Sequence, residues 1–219
     1  MIHLNSANVY YQQKTVLTDI TLNIHPGQKV ALIGYSGSGK SSLINLLYNE
    51  FQSKPGKAAL IPQEYNLVLN LSVFHNVYMG QLGRRSTIFN LINLVKPLAA
   101  PVVEVSAILN DVFLADKLFE PVAQLSGGQQ QRTAIARAIM QAGDVLLADE
   151  PVSSLDETQS KIMMSLLCEK FKTCIFSLHD IDLALAYCDR IIGLSNGKIV
   201  IDDDADILDR HTLLELYGQ

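Results

Sequence analysis

Residues 34–42 read Gly-Tyr-Ser-Gly-Ser-Gly-Lys-Ser-Ser, and they restrict the fold more than any other stretch of the chain. They follow the apolar run Val30, Ala31, Leu32, Ile33 and precede Leu43, Ile44, Leu46 and Leu47, which are spaced as on a helix. Strand, glycine loop and helix, in that order, is the context that a phosphate-binding loop of pattern G-x-x-x-x-G-K-[ST] requires. Gly34, Gly37 and Gly39 permit backbone conformations closed to residues with a Cβ. The N–H groups along Gly34, Tyr35, Ser36, Gly37, Ser38 and Gly39 can then turn inward around an anion. The helix starting there, which carries Ser42, points its positive dipole end at the same spot. Lys40 can reach the β- and γ-phosphates, and the Ser41 hydroxyl can ligate Mg²⁺. The loop alone names a nucleotide; kinases, GTPases and motors all share that chemistry.

The flanking sequence predicts an α/β core. Ile20, Leu22 and Ile24 alternate with polar residues, the pattern of a half-buried strand. A tyrosine pair, Tyr10 and Tyr11, precedes it. Spacing leaves Tyr11 equally readable as a strand aromatic or as a ring that stacks on a base. Ser53, Lys54, Pro55 and Gly56 form a turn signal, and residues 58–62 read as a strand ending at the polar Gln63. Residues 72–120 are mostly helical by pattern, with Ser72 as an N-cap, a connection at 98–101 and a second helix at 103–114. A further helix follows Gly127 and Gly128. Residues 144–149 are a buried strand ending in the carboxylates Asp149 and Glu150. A helix at 158–171 leads to a strand at 173–177, which is followed by His179. Asn196-Gly197 between two apolar runs is a hairpin signal, and a short helix at 205–217 closes the chain.

Strands alternating with helices on both sides of the glycine loop imply a mostly parallel sheet, and ligands of such sheets sit beyond the strands' carboxyl ends. The loop, Asp149 with Glu150, and His179 each follow a strand directly, so they can converge. Asp149 suits an outer-sphere contact to a nucleotide-bound Mg²⁺, and Glu150 suits taking a proton from an attacking water.

Leu125, Ser126, Gly127, Gly128 and Gln129 carry the resemblance to a known family: they match the signature of the ABC ATPases, and the other motifs follow in that family's order along nearly the whole chain. The resemblance implies a P-loop NTPase fold with a RecA-like core, a mostly parallel sheet, a reduced antiparallel β-subdomain and an inserted helical subdomain. On it, residues 1–219 form one ABC ATPase domain. Residues 1–63 and 141–219 make the catalytic core with its N-terminal β-subdomain, and 64–140 the helical, signature-bearing part. The resemblance implies ATP and Mg²⁺ as cofactors. It makes Tyr11 the adenine-stacking ring and residues 34–41 the Walker A loop. Gln63 becomes a sensor of Mg²⁺ and water, Asp149 the Walker B aspartate and Glu150 the catalytic glutamate. Ser154, Leu155 and Asp156 become the D-loop, and His179 the switch that contacts the γ-phosphate. Catalysis then rests on Lys40, Gln63, Glu150 and His179, and metal binding on Ser41, Gln63 and Asp149.

The partners are likewise implied. Two copies face head to tail, with ATP between the Walker A loop of one and Ser126, Gly127, Gly128 and Gln129 of the other. Hydrolysis opens that homodimer and moves a separate membrane permease, which a solute-binding protein completes. The chain then sits on the cytoplasmic side of the membrane as a peripheral ATPase. Residues 63–68, 71–73, 80–84, 114–117 and 178–190 also look like the ATP-binding subunits of phosphonate importers, which points to phosphonate or a related oxyanion. Tyr65, Leu67, Val73 and Val77 are the expected apolar residues for docking a permease helix.

Two departures stand out. Only about 23 residues separate Lys40 from Gln63, fewer than the family usually has, so residues 58–61 are expected to be the one surviving strand of the β-subdomain. The chain also ends soon after its last predicted helix, so no regulatory domain is expected. A non-transport ABC ATPase of DNA repair or translation is the alternative, but long coiled-coil insertions and a second nucleotide domain are missing. A formal net charge of −5 also disfavours a nucleic-acid surface. A P-loop kinase would leave residues 125–129 without a role. The cysteines Cys168, Cys174 and Cys188 show neither metal nor disulfide spacing.

Overall fold

The computed structural model describes residues 2–11, 14–52 and 58–216. The expected turn at residues 53–56 and the end of the last helix at Tyr217 lie outside them. In chain order the strands are β1 (Ile2–Tyr11), β2 (Lys14–Ile24), β3 (Lys29–Ile33), β4 (Ala58–Ile61), β5 (Val145–Asp149), β6 (Thr173–Ser177), β7 (Arg190–Ser195) and β8 (Lys198–Asp204). The helices are α1 (Lys40–Gln52), α2 (Val73–Tyr78), α3 (Thr87–Val95), α4 (Ala99–Asp111), α5 (Gly127–Gln141), α6 (Glu157–Lys170), α7 (Ile181–Tyr187) and α8 (Arg210–Glu215). They divide into two units. One holds the described residues within Met1–Gln63, Asp144–Pro151 and Phe171–Gln219, the other Glu64–Gly143 and Val152–Lys170.

The first unit is built on a six-stranded sheet of order β4-β5-β6-β3-β7-β8. The first five strands run parallel, and β8 closes one edge antiparallel to β7. Every residue of β5 and β6 is buried, as expected of unbroken apolar runs covered on both faces. The core joins Val30, Leu32, Leu147, Ile175 and Ile192 of the sheet to Leu43, Ile44 and Leu47 of α1 and to Leu17, Ile20, Leu22 and Ile24 of β2. A separate antiparallel pair, β1 with β2, supplies the last of these.

Residues 58–61 correct one expectation. They form β4, which pairs parallel with β5 in register Ala58↔Val145 and belongs to the core sheet. The antiparallel subdomain is β1–β2 instead. The β8 edge strand is made by the expected Asn196-Gly197 hairpin: φ is +49° at Asn196 and +73° at Gly197, and Ser195 pairs with Lys198. The terminal helix is broken into a 3₁₀ turn, Ala205–Ile207, and α8, which restarts on the Asp209 cap.

The second unit is helical. Phe74, Val77, Val105, Leu109, Ile135 and Ala138 are fully buried in it. Ser72 caps α2 as expected, accepting the His75 N–H. The second helix of this region begins earlier than the sequence suggests, at Ala99, with Pro101 in its first turn. The first turn has no intrahelical N–H bonds to lose, so proline is tolerated there. Among the described residues no single helix is long and apolar enough to cross a membrane. The pair α3 and α4, bent by 74°, passes on length and composition only when taken together.

Candidate active site

The strand order explains the site. Within the first unit, the adjacent strands β4, β5, β6 and β3 all point their carboxyl ends the same way. Gln63 follows β4, Glu150 follows β5, His179 follows β6 and the glycine loop follows β3. One pocket is lined by Val16, Ser36, Gly37, Gly39, Lys40, Ser41, Ser42, Gln63, Glu150 and His179. The sheet therefore brings together residues spread over more than half the sequence, at the edge where parallel sheets bind ligands.

Lys40 opens α1 and is almost wholly buried, its side chain folded back over the loop. Its Nζ donates to the carbonyl of Gly34 at 2.7 Å and of Tyr35 at 3.1 Å. Burial pushes its pKa below the ordinary lysine value, with the charges of Glu150 and Asp149 pulling it back up. A largely desolvated cation whose direct hydrogen bonds are to carbonyls is primed for an anionic ligand.

Glu150 has φ +52°, a left-handed conformation that is costly for a residue with a Cβ and typical of functional positions. Its N–H donates to the Ser177 carbonyl at 3.1 Å, which ties the end of β5 to that of β6. Its Oε1 lies 2.6 Å from His179 Nε2. Asp149, one residue back, is 4% exposed, and its Oδ1 has no hydrogen-bond partner. A buried carboxylate oxygen with no partner in the protein is able to accept a ligand. Ser41 and Gln63 line the pocket and Asp149 does not; their hydroxyl and amide oxygens with the Asp149 carboxylate would make an all-oxygen donor set with one carboxylate. Mg²⁺ bound alongside phosphates takes such a set, because it fills its other positions with phosphate oxygens and water. Among the described residues no group of three or more His, Cys, Asp and Glu gathers to hold a metal without such help.

Several expected residues lie elsewhere. Tyr11, at the end of β1, is 54% exposed and does not line the pocket. Gly34, Tyr35 and Ser38 shape the loop without lining it; the Tyr35 hydroxyl points to Asn196. Val16 does line the pocket, and the sequence carried no signal for it beyond its position in a strand next to the loop.

Ser126, Gly127, Gly128 and Gln129 belong to the second unit and start α5. Ser126 accepts the Gln129 N–H while the Gln129 side chain accepts the Ser126 N–H, a reciprocal capping box. Those bonds leave the Gly127 and Gly128 amides without an intrahelical acceptor. A Cβ on Gly127 would meet nothing within 4 Å, whereas one on Gly128 would lie 3.1 Å from the Ser154 carbonyl. The segment 153–155 is fastened to α5: the Ser154 N–H donates to Gln131 Oε1 at 2.8 Å, and Tyr65 shares a 3.0 Å hydroxyl contact with Ser154. Arg137 of α5 in turn binds the carbonyls of Tyr65 and Asn66.

The expected docking residues Val73 and Val77 are fully buried in the helical core, because they lie on the inward face of α2. The exposed apolar face belongs to α3: Ile88, Leu91, Ile92, Leu94 and Val95 are each 45% exposed or more.

The comparisons with known proteins agree with this geometry. Residues 17–153 match the model of the ABC transporter family. The chain is 37% identical to "Phosphonates import ATP-binding protein PhnC 2" of Pseudomonas savastanoi, over 99% of this chain and 89% of that protein. It is 38% identical to "Phosphonates import ATP-binding protein PhnC 3" of Halalkalibacterium halodurans, over 100% of this chain and 95% of that protein. Its structure superposes with a TM-score of 0.78 on a dimeric ATP-binding cassette solved in a post-hydrolysis state with ADP and Pi bound. That pair is 26% identical, and the superposition covers 94% of this chain and 99% of the cassette.

Proposed function

The chain belongs to the ABC transporter family and is an ATPase, and from that premise we propose that it is the ATP-hydrolysing subunit of an importer for phosphonate or a related oxyanion. The observation that carries this reading is the single pocket in which the glycine loop, Gln63, Glu150 and His179 meet. The similarity to phosphonate import proteins over nearly the full chain supports the cargo class.

In this reading ATP lies along residues 34–41. The loop amides and Lys40 hold its β- and γ-phosphates. Ser41, Gln63 and Asp149 would hold Mg²⁺, which would supply positive charge against the phosphates. Glu150 takes the proton of the attacking water, and His179, hydrogen-bonded to it, keeps the carboxylate aimed and faces the γ-phosphate. Gln63 positions the water. Tyr11 stacks on adenine from the end of β1.

A second copy completes the site. Ser126, Gly127, Gly128 and Gln129 of one copy close over the ATP of the other, and the two unpaired glycine amides supply donors at a helix start. Hydrolysis and phosphate release remove the charge that both copies grip, and the dimer opens. With this chain peripheral on the cytoplasmic side, an integral-membrane permease would turn this opening into transport, with a solute-binding protein delivering the cargo. The apolar face of α3 is the surface we assign to the permease, because a soluble face that apolar marks a partner.

The test is reconstitution. The chain is co-expressed with a candidate phosphonate permease and placed in vesicles with a phosphonate-binding protein. ATP-driven uptake of a radiolabelled alkylphosphonate, lost in Glu150→Gln, is the expected outcome. ATP hydrolysis indifferent to any permease, together with tight salt-dependent DNA or ribosome binding, would turn the assignment toward the non-transport branch of the family.

A further inference from the structure

The turn between β7 and β8 is built into the phosphate-binding loop, although 161 positions separate Tyr35 from Asn196. The Tyr35 hydroxyl donates to Asn196 Oδ1 at 2.6 Å and accepts the Asn196 N–H at 3.0 Å. Next to it, the Gly197 N–H donates to the Ser38 carbonyl at 3.1 Å, and the Gly197 carbonyl accepts the Thr18 N–H at 2.9 Å. The packing is as close as backbones allow. A Cβ on Gly34 would sit 2.3 Å from the Leu194 carbonyl oxygen, and one on Gly197 would sit 2.2 Å from that of Val16. At Gly34 and Gly197 the loop, the turn and β2 thus approach backbone to backbone.

Tyr35 is also tied to the chemistry of the loop through its main chain. Its carbonyl accepts the Ser38 N–H at 3.2 Å and Lys40 Nζ at 3.1 Å. The hydroxyl fixes one end of a residue whose other end receives the phosphate-binding lysine. A glycine-rich loop has much conformational freedom to lose on binding a ligand, and a tether that removes this freedom beforehand raises affinity.

We propose that Tyr35 is a positioning residue: its bond to Asn196 holds the phosphate-binding loop and Lys40 in the shape that accepts the nucleotide's phosphates. The β7–β8 turn is then a second wall of the loop. The proposal rests on reading this pocket as the ATP site. It makes Tyr35 act through its hydroxyl on the hairpin, and through the loop on ATP, and it leaves Gln63, Glu150 and His179 as the groups that act on the reacting phosphate.

The test uses equilibrium binding of a fluorescent, non-hydrolysable ATP analogue with Mg²⁺ to the full chain, alongside steady-state ATPase kinetics and thermal melting. Tyr35→Phe deletes only the hydroxyl. It should weaken the analogue by about three- to tenfold, the size of one or two neutral hydrogen bonds. KM should carry the loss rather than kcat, and the difference should persist at temperatures where both proteins are folded. Asn196→Gly keeps the left-handed turn and its N–H while losing the acceptor, so it should cost less. The double variant should be no worse than Tyr35→Phe alone, because both remove one interaction. Analogue affinity unchanged in Tyr35→Phe, or effects of the two variants that simply add, would overturn the proposal. A lower melting temperature at unchanged affinity would also overturn it, since it would make the contact structural only. A parent protein that binds no analogue at all would instead refute the ATP-site reading itself.

Discussion

His179 Nε2 and Glu150 Oε1 are 2.6 Å apart, joining the carboxyl ends of two neighbouring parallel strands across the mouth of one pocket. The carboxylate therefore has an orienting partner before any nucleotide arrives. Glu150→Gln keeps the size and a hydrogen-bonding group but loses the base. Turnover should fall by about a hundredfold or more, as general-base removal does, while ATP binding persists and the ATP-bound dimer accumulates. Phosphate release and size-exclusion chromatography with saturating ATP and Mg²⁺ check this. A monomer under those conditions would sink the head-to-tail arrangement.

Lys40 offers a test with a defined sign. Burial lowers its pKa below 10.5, so its charged form costs the folded state stability at any pH under the folded value. That cost is relieved as pH rises from the folded pKa toward 10.5, where the unfolded chain still binds the proton that the folded one has lost. Lys40→Met should therefore melt no earlier than the parent at neutral pH, and should lack this part of the parent's gain in stability at alkaline pH. It should also lose ATP affinity. Calorimetry across the pH range decides it; an earlier melt at neutral pH would show that the carbonyl contacts outweigh the desolvation.

The two signature glycines should behave differently. Gly127→Ala puts a methyl into open space, so the helical unit should keep its stability while the second copy is obstructed at its ATP. Gly128→Ala pushes against the Ser154 carbonyl at 3.1 Å, so it should also loosen the segment 153–155. Hydrogen exchange of the Ser154 amide, which Gln131 protects, separates the two. Equal protection in both variants would contradict the contact.

Leu91→Asp, on the exposed face of α3, should cost less than about 0.5 kcal/mol of stability, as surface changes usually do. It should nevertheless reduce co-purification with the permease and the stimulation of ATPase activity by it. Unaltered assembly would move the docking surface away from α3.

Gly197→Ala forces a Cβ to within 2.2 Å of the Val16 carbonyl at a φ of +73°. Backbone strain of this kind costs on the order of 1–3 kcal/mol. Chemical denaturation should register it directly, and an unchanged midpoint would mean that β2 and the turn can separate freely.

The local parts of this protein were legible in its sequence because they obey local rules. The glycine loop between strand and helix, the helix that follows Gly127 and Gly128 and the Asn196-Gly197 turn each depend on residues a few positions apart, and all three appear as read. The order of motifs was likewise enough for the family. What the chain could not show in one dimension was partnership. Residues 58–61 have strand character, yet only pairing with β5 makes them part of the parallel sheet that delivers Gln63 to the pocket. Val73 and Val77 are as apolar as Leu91 and Val95, but the way α2 packs buries the first pair and leaves the second exposed. Tyr35 fits any variable position of its motif until the fold sets Asn196 beside its hydroxyl. Sequence periodicity records which face of an element is apolar; the hydrogen-bond partner and the covering neighbour are set by long-range packing, so only the tertiary structure decides them.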